Sequence, residues 1–197
     1  MIKALDAVQS LCRGKNFCLL GNASSILRNE KPIDDFDVVG RMNRGDPHGK
    51  EKFIGSRTDI LFLSTRMEER DVLKAFSTKR ASLGRHPIYP FIIWMTVDSW
   101  LASAWTREHA ILNPWKDWCE LYLKVGSKPT TGLMAINFLL NHIEFKELTI
   151  YGFDFFKTPS WYNTQPGYRG PHDPLKDKEN VLFLIEGRPN VRLIDEA

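Results

Sequence analysis

The sequence predicts an α/β fold in which a mostly parallel sheet is covered by helices on both faces. Three observations predict it. Apolar runs near the length of buried strands recur along the chain, and stretches with helical spacing lie between several of them. At 197 residues and 43% hydrophobic, the chain can fill one core but not comfortably two. Strands covered by helices from above and below read as continuous apolar runs rather than as alternation. Residues 1–197 are therefore expected to form a single domain.

In chain order, NFCLLG at 16–21 is the first predicted strand, followed by FDVVGRM at 36–42 and TDILFLS at 58–64. A helix is expected over 67–77, then a strand FIIWMT at 91–96, then helices over 98–108 and 115–125. Pro129 sets the approach to a helix over 131–143, which leads into a strand ELTIYGF at 147–153. A helix over 174–186 and a strand NVRLID at 190–195 complete the alternation. The segment TPSWYNTQPGYRGPHDP at 158–174 has no periodicity and is too long for an ordinary connection. Such loops are usually active-site lids or disordered, and Trp161, Tyr162 and Tyr168 favour the lid.

Composition excludes several classes of function. A formal charge of +3 comes from 27 basic and 24 acidic residues that are scattered, which argues against nucleic acid but fits an anionic small molecule. No apolar run approaches the roughly 20 residues of a membrane span, and MIKALDAVQS has no signal-peptide core, so a cytoplasmic protein is expected. Cys12, Cys18 and Cys119 are odd in number and lack CxxC spacing, so they are read as reduced packing residues.

Two junctions at helix starts carry candidate chemistry. The first is Gly21-Asn22-Ala23-Ser24-Ser25, where glycine allows a sharp turn and Asn22 and Ser24 supply donors and a cap. It reads either as a ligand-binding turn beyond a strand's carboxyl end or as an ordinary capped turn. The second is Pro129-Thr130-Thr131-Gly132, whose hydroxyls and bare glycine read either as a helix mouth with its first N–H groups open to an anion such as phosphate or as an ordinary threonine N-cap. Among the histidines, His48, His86, His109 and His142 read as structural or solvated. His172, at the end of the aromatic loop and just before a helix, is placed to accept a proton. Asp34, Asp35 and Asp37 offer either a divalent-cation site or a solvated lead-in to the second strand.

Taken together these stretches resemble the sialylmotifs of the animal-type sialyltransferase family. LLGNASS, PIDDFDVVGRMN and IGSRTDILFL stand in the order of the family's large motif over residues 19–63. KPTTGLMAINFLLNHIEFKELTIYGF is similar to its small motif, and HDPLKDKENVLFL to its very short motif, with Asp177 or Glu179 as the acid.

The resemblance implies a Rossmann-like fold and an inverting, metal-independent transferase with no cofactor, working on a CMP-activated sugar and a glycan acceptor. It implies that Asn22 and Asn43 meet the donor's phosphate or ribose, with Gly21 and Ser24 beside them as further substrate-binding candidates, and that Thr130, Thr131 and Gly132 hold its nucleotide. Tyr151 and Gly152 would lie beside the cytidine, and His172 would be the general base. Asp34 to Asp37 then needs no metal.

The sequence departs from the pattern at the family's disulfide, since the small motif has no cysteine and Cys18 is one place off. This agrees with a reducing cytoplasm and a microbial or viral source. The third motif appears only as SWYN, with Trp161 or Tyr162 in place of a phosphate-contacting histidine, leaving the departing phosphate to the helix mouth or Lys128. Kdo or another keto-sugar is an alternative donor. A CMP-sugar hydrolase and a non-catalytic nucleotide-binding module are the alternative functions.

Overall fold

The computed structural model describes residues 2–74, 91–163 and 170–194. Residues 75–77 of one expected helix, His86, Tyr168 and Asp195 lie outside them. Helix α1 (Ile2–Cys12) precedes β1 (Asn16–Leu20) and β2 (Val38–Met42), followed by α2 (Glu51–Ile54), β3 (Ile60–Leu63) and α3 (Glu69–Lys74). Next come β4 (Phe91–Trp94), α4 (Ala104–His109), β5 (Ala110–Leu112) and α5 (Trp115–Val125). The last elements are α6 (Thr131–His142), β6 (Glu147–Tyr151), α7 (Pro174–Ile185) and β7 (Val191–Leu193).

The strands form one sheet in the order β5-β4-β3-β2-β1-β6-β7, and every pairing between them is parallel. The fold is thus Rossmann-like. Alternate residues of each strand face opposite sides, as the pleat requires. Phe17, Leu19, Phe62 and Ile150 meet α1, α5, α6 and α7 through Val8, Leu121, Phe138 and Val181. On the opposite face, Cys18, Leu20 and Val39 pack on Ile26, Ile33 and Ile54, while Leu61, Leu63 and Trp94 pack on Met67, Val72 and Ala102. Burying each large apolar side chain contributes about 1.5–3 kcal/mol, so the central strands that carry the site form the most strongly held part of the sheet.

Several elements differ from the sequence expectation. Helix α1 was not expected, although Leu5, Val8 and Cys12 recur at helical spacing and bury one face on the sheet. The helix expected over 98–108 is broken. A 3-10 turn at Ser99–Leu101 gives way to extended backbone at Ala102 and Ser103, and the Ser103 hydroxyl then caps α4 by accepting from Thr106 N. Strand β5 is too short to show a pattern. The second strand begins at Val38 rather than Phe36, because Phe36 ends a 3-10 turn and Asp37 accepts a hydrogen bond from Asn16 N. No helix among the described residues is long and apolar enough to cross a membrane.

The chain winds outward from β1 to β5 in one direction, then returns to place β6 and β7 on the other side of β1. In open parallel sheets, ligands bind beyond the carboxyl ends of the strands at such a reversal.

Candidate active site

A cavity of about 1150 Å³ lies where β1, β2, β3 and β6 exit the sheet, bounded by the start of α6 and the approach to α7. It brings together Gly21, Asn22, Asn43, Thr130, Thr131, Gly132, Gly152, Tyr162 and His172. Two expected residues do not line it. Ser24 opens a 3-10 turn whose N-cap is Ala23 without any side-chain cap, and its N–H is taken by the Pro159 carbonyl. Tyr151 follows the pleat to the opposite face, where it packs edge-on against Phe36.

The glycines serve close packing. A Cβ on Gly21 would lie 2.2 Å from the Gly152 carbonyl oxygen, and Gly152 has φ +71°, where a side chain is strained. These two exits cross back to back, with Gly21 N donating to Tyr151 O and Ala23 N to Gly152 O. Gly132 was read as bare so that a ligand could approach. In the structure, its missing Cβ makes room for the Phe153 ring, 2.5 Å from where that atom would be.

The asparagines divide their work. Asn43 sits at φ +48°, a left-handed conformation that asparagine tolerates better than most residues. Its Oδ1 accepts from Ser64 N and its Nδ2 donates to the Thr131 hydroxyl, which in turn donates to Ser64 Oγ. Asn43 therefore pins the exits of β2 and β3 to the start of α6. Asn22 Nδ2 donates to Met42 O at 3.1 Å and to Tyr162 Oη at 3.3 Å, whereas its buried Oδ1 has no partner among the described residues.

At the mouth of α6, the Thr130 hydroxyl accepts from Leu133 N, and Thr130 N donates to Asp177 Oδ2 at 3.2 Å. The N–H groups of Thr131 and Gly132 remain without partners among the described residues, as the first turn of a helix permits. Asp177 is buried, and burial pushes its carboxyl above the ordinary aspartate range, against hydrogen bonds from Thr130 and the nearby His172 that pull it down. Of the two candidate acids, Glu179 instead pairs with Lys176 on the surface. Lys128 approaches Asp98 at 4.0 Å.

His172 Nδ1 lies 2.7 Å from the Lys128 carbonyl oxygen. A carbonyl can only accept, so in the neutral ring Nδ1 carries the proton and Nε2 holds the free lone pair. The remaining described histidines are engaged elsewhere or exposed: His142 meets Asp117 at 2.5 Å, His109 stacks on Trp105, and His48 is exposed in its loop.

Much of the large-motif stretch builds scaffold. Buried Arg41 donates to the carbonyls of Ile54, Gly55 and Arg57 and to Thr58 Oγ1, and burial lowers its pKa to about 10. Asp34 accepts from Ser56 N, Ser56 Oγ and Arg57 N. Asp34 and Asp37 thus bind separate stretches of backbone and do not converge on one point. Of the SWYN pair, Trp161 joins the core beside Ile26, while Tyr162 lines the cavity. Burial raises the Tyr162 phenol, opposed by hydrogen bonds with Ser160 and Asn22 and by nearby Arg44. The sequence reading missed Arg44, Phe156 and Lys157 in the cavity wall. Arg44 directly follows the asparagine of RMN and was legible as a cation at the same strand exit.

No protein-family model matches this sequence, and no curated protein does. Solved structures do match. A mammalian sialyltransferase in complex with Gal-beta-1-3GalNAc-ortho-nitrophenol aligns at TM-score 0.58 and 17% identity, over 98% of this chain and 77% of that one. The Campylobacter jejuni sialyltransferase CstII, in complex with cytidine-5'-monophosphate, aligns at TM-score 0.61 and 18% identity, over 92% and 80%. The monofunctional alpha-2,3-sialyltransferase Cst-I of the same organism aligns at TM-score 0.58 and 16% identity, over 91% and 75%. This chain has the sialyltransferase fold. In this version of the fold, the cavity sits at the β1/β6 reversal, and all three described cysteines are free.

Proposed function

We propose that the protein is an inverting, metal-independent glycosyltransferase that moves a sialic acid or related keto-sugar from a CMP-activated donor to a glycan acceptor hydroxyl. The observation that carries this reading is the pairing, in one cavity, of open amides at the α6 mouth with an imidazole whose Nδ1 is tied to a carbonyl. Two of the structures sharing the fold were solved with cytidine-5'-monophosphate and with Gal-beta-1-3GalNAc-ortho-nitrophenol, which supports a nucleotide donor and a glycan acceptor here.

The chemistry follows from charge. As the bond from the anomeric carbon to the phosphate oxygen breaks, negative charge grows on the leaving CMP. Preorganised donors stabilise that charge most in a site shielded from water. Thr131 N, Gly132 N and the positive end of the α6 dipole supply them, with Tyr162 Oη standing in for the histidine of the third motif. Arg44, Lys128 and Lys157 add positive potential around the cavity. On the opposite face of the sugar the acceptor oxygen bonds to the anomeric carbon, and its proton passes to His172 Nε2. General-base catalysis of this kind contributes about a hundred- to ten-thousand-fold in rate. With the leaving group met by amides and a phenol, no step calls for a metal. Three free thiols fit residence in a reducing cytoplasm.

Thermal melts with CMP, UDP, GDP and ADP, with and without chelator, test the reading. A ligand that binds only the folded state raises the melting temperature. CMP is expected to stabilise the protein and chelator to change nothing. Stabilisation by UDP or GDP only in the presence of metal would contradict the proposal, and release of free sugar from a CMP-sugar without an acceptor would mark a hydrolase.

A further inference from the structure

The turn that leaves β6 contains two phenylalanines where the backbone favours other residues. Lys157 N donates to Asp154 O, and the two residues between them, Phe155 and Phe156, have φ +55° and +64°. Positive φ at both central positions is the pattern of a type I′ turn, which selects Asn and Gly. Bulky side chains there carry strain that the surroundings must offset. The surroundings do so through Asp154. Its buried Oδ2 accepts from Ser25 Oγ, Thr158 N and Thr158 Oγ1, locking the turn against the β1 exit.

Burial explains only one of the two rings. Phe155 packs on the main core, with Lys178 Nζ 6.0 Å from its centroid. Phe156 is 36% exposed and lines the cavity, its ring centroid 6.1 Å from that of His172 at an inclination of 31°. An exposed aromatic held in an unfavourable backbone conformation beside the imidazole offers a rigid apolar face. Pyranoses meet such faces with their own run of ring C–H groups, leaving their hydroxyls at the edge.

We infer that Phe156 is the platform for the acceptor sugar, stacking under the C–H face of a pyranoside so that a hydroxyl at the sugar's edge borders the His172 imidazole. This rests on the glycosyltransferase reading above. It adds a specificity-determining residue outside every sequence motif considered. Pyranosides with a continuous C–H face, such as β-galactosides, bind best, and open-chain polyols bind poorly.

The test is saturation-transfer NMR with methyl β-galactopyranoside and, as control, sorbitol, on the wild-type protein and on Phe156→Ala, Phe156→Trp and Phe156→Gly. Melting with CMP is measured on the same samples. The expected result is transfer to the galactoside's ring protons in wild type and Phe156→Trp, at least a tenfold weaker affinity in Phe156→Ala and Phe156→Gly, and none to sorbitol. Phe156→Gly should also melt above Phe156→Ala, because glycine relieves the left-handed turn. Galactoside binding by Phe156→Ala equal to wild type, or no galactoside binding by wild type, overturns the platform. Failure of CMP to stabilise any variant counts against the donor assignment alone, since the galactoside arm reads Phe156 without it.

Discussion

The two walls of the cavity are built on different terms. On the wall of strand exits, several polar groups are committed to the scaffold, although Asn22 Oδ1 has no partner among the described residues. Asn43 spends both ends of its amide on Ser64 and Thr131, Gly21 and Gly152 are in contact with each other, and behind this wall buried Arg41 gathers four acceptors between residues 54 and 58. On the wall formed by α6 and the approach to α7, the groups that face the cavity are left open: the Thr131 and Gly132 amides and the Nε2 of His172. The first wall sets shape and the second holds groups open to a ligand. Motif residues of equal prominence in the sequence thus do unequal work.

Substitutions can break or sharpen this contrast. The largest expected effect is on turnover. His172→Ala should lower transfer by about a hundred- to ten-thousand-fold while the melting shift produced by CMP stays near that of wild type. Loss of the CMP shift would move His172 into the donor pocket and blur the two roles.

Behind the strand-exit wall the effect should fall on stability. Arg41→Met leaves buried carbonyls at residues 54, 55 and 57 without their donor, and each unsatisfied group costs about 1–3 kcal/mol. Urea unfolding should show a loss of about 3 kcal/mol or more. A variant as stable as wild type would mean that water replaces the guanidinium freely.

Asp177 belongs to the open wall but titrates with the fold. Its folded pKa is raised, so the folded state holds the proton more tightly than the unfolded chain does. The stability it contributes is full below the ordinary aspartate range and is lost as pH rises through the raised folded value. Asp177→Asn should flatten that part of the pH–stability curve measured by denaturant unfolding. A wild-type curve that instead rises with pH through that window, and falls flat in the variant, would reverse the sign assigned to Asp177.

The smallest effect is expected at Ser24. Its side chain makes no hydrogen bond among the described residues and does not line the cavity. Ser24→Ala should change stability by no more than about 0.5 kcal/mol and leave the CMP shift intact.

The sheet was legible because buried parallel strands are continuous apolar runs, and most of the motif residues singled out line one cavity. Local chemistry was harder to read. Glycine at 132 looks the same in a sequence whether it yields space to a ligand or to Phe153, and only packing separates the two. Tyr151 was misplaced because a strand's last residue turns to a face set by register, which the motif alone does not specify. The start of α4 was hidden by Ser103, whose hydroxyl prefers capping a helix to continuing one. Phe156 escaped notice because nothing in its own identity reveals a positive φ.

Amide NMR offers the most direct test of the claim that the α6 mouth receives the phosphate. With 15N-labelled protein titrated in parallel with CMP and with cytidine, the Thr131 and Gly132 N–H resonances should move strongly downfield with CMP and little with cytidine. Movement of both amides by the same amount with either compound, or no movement while other cavity residues respond to CMP, would contradict the account.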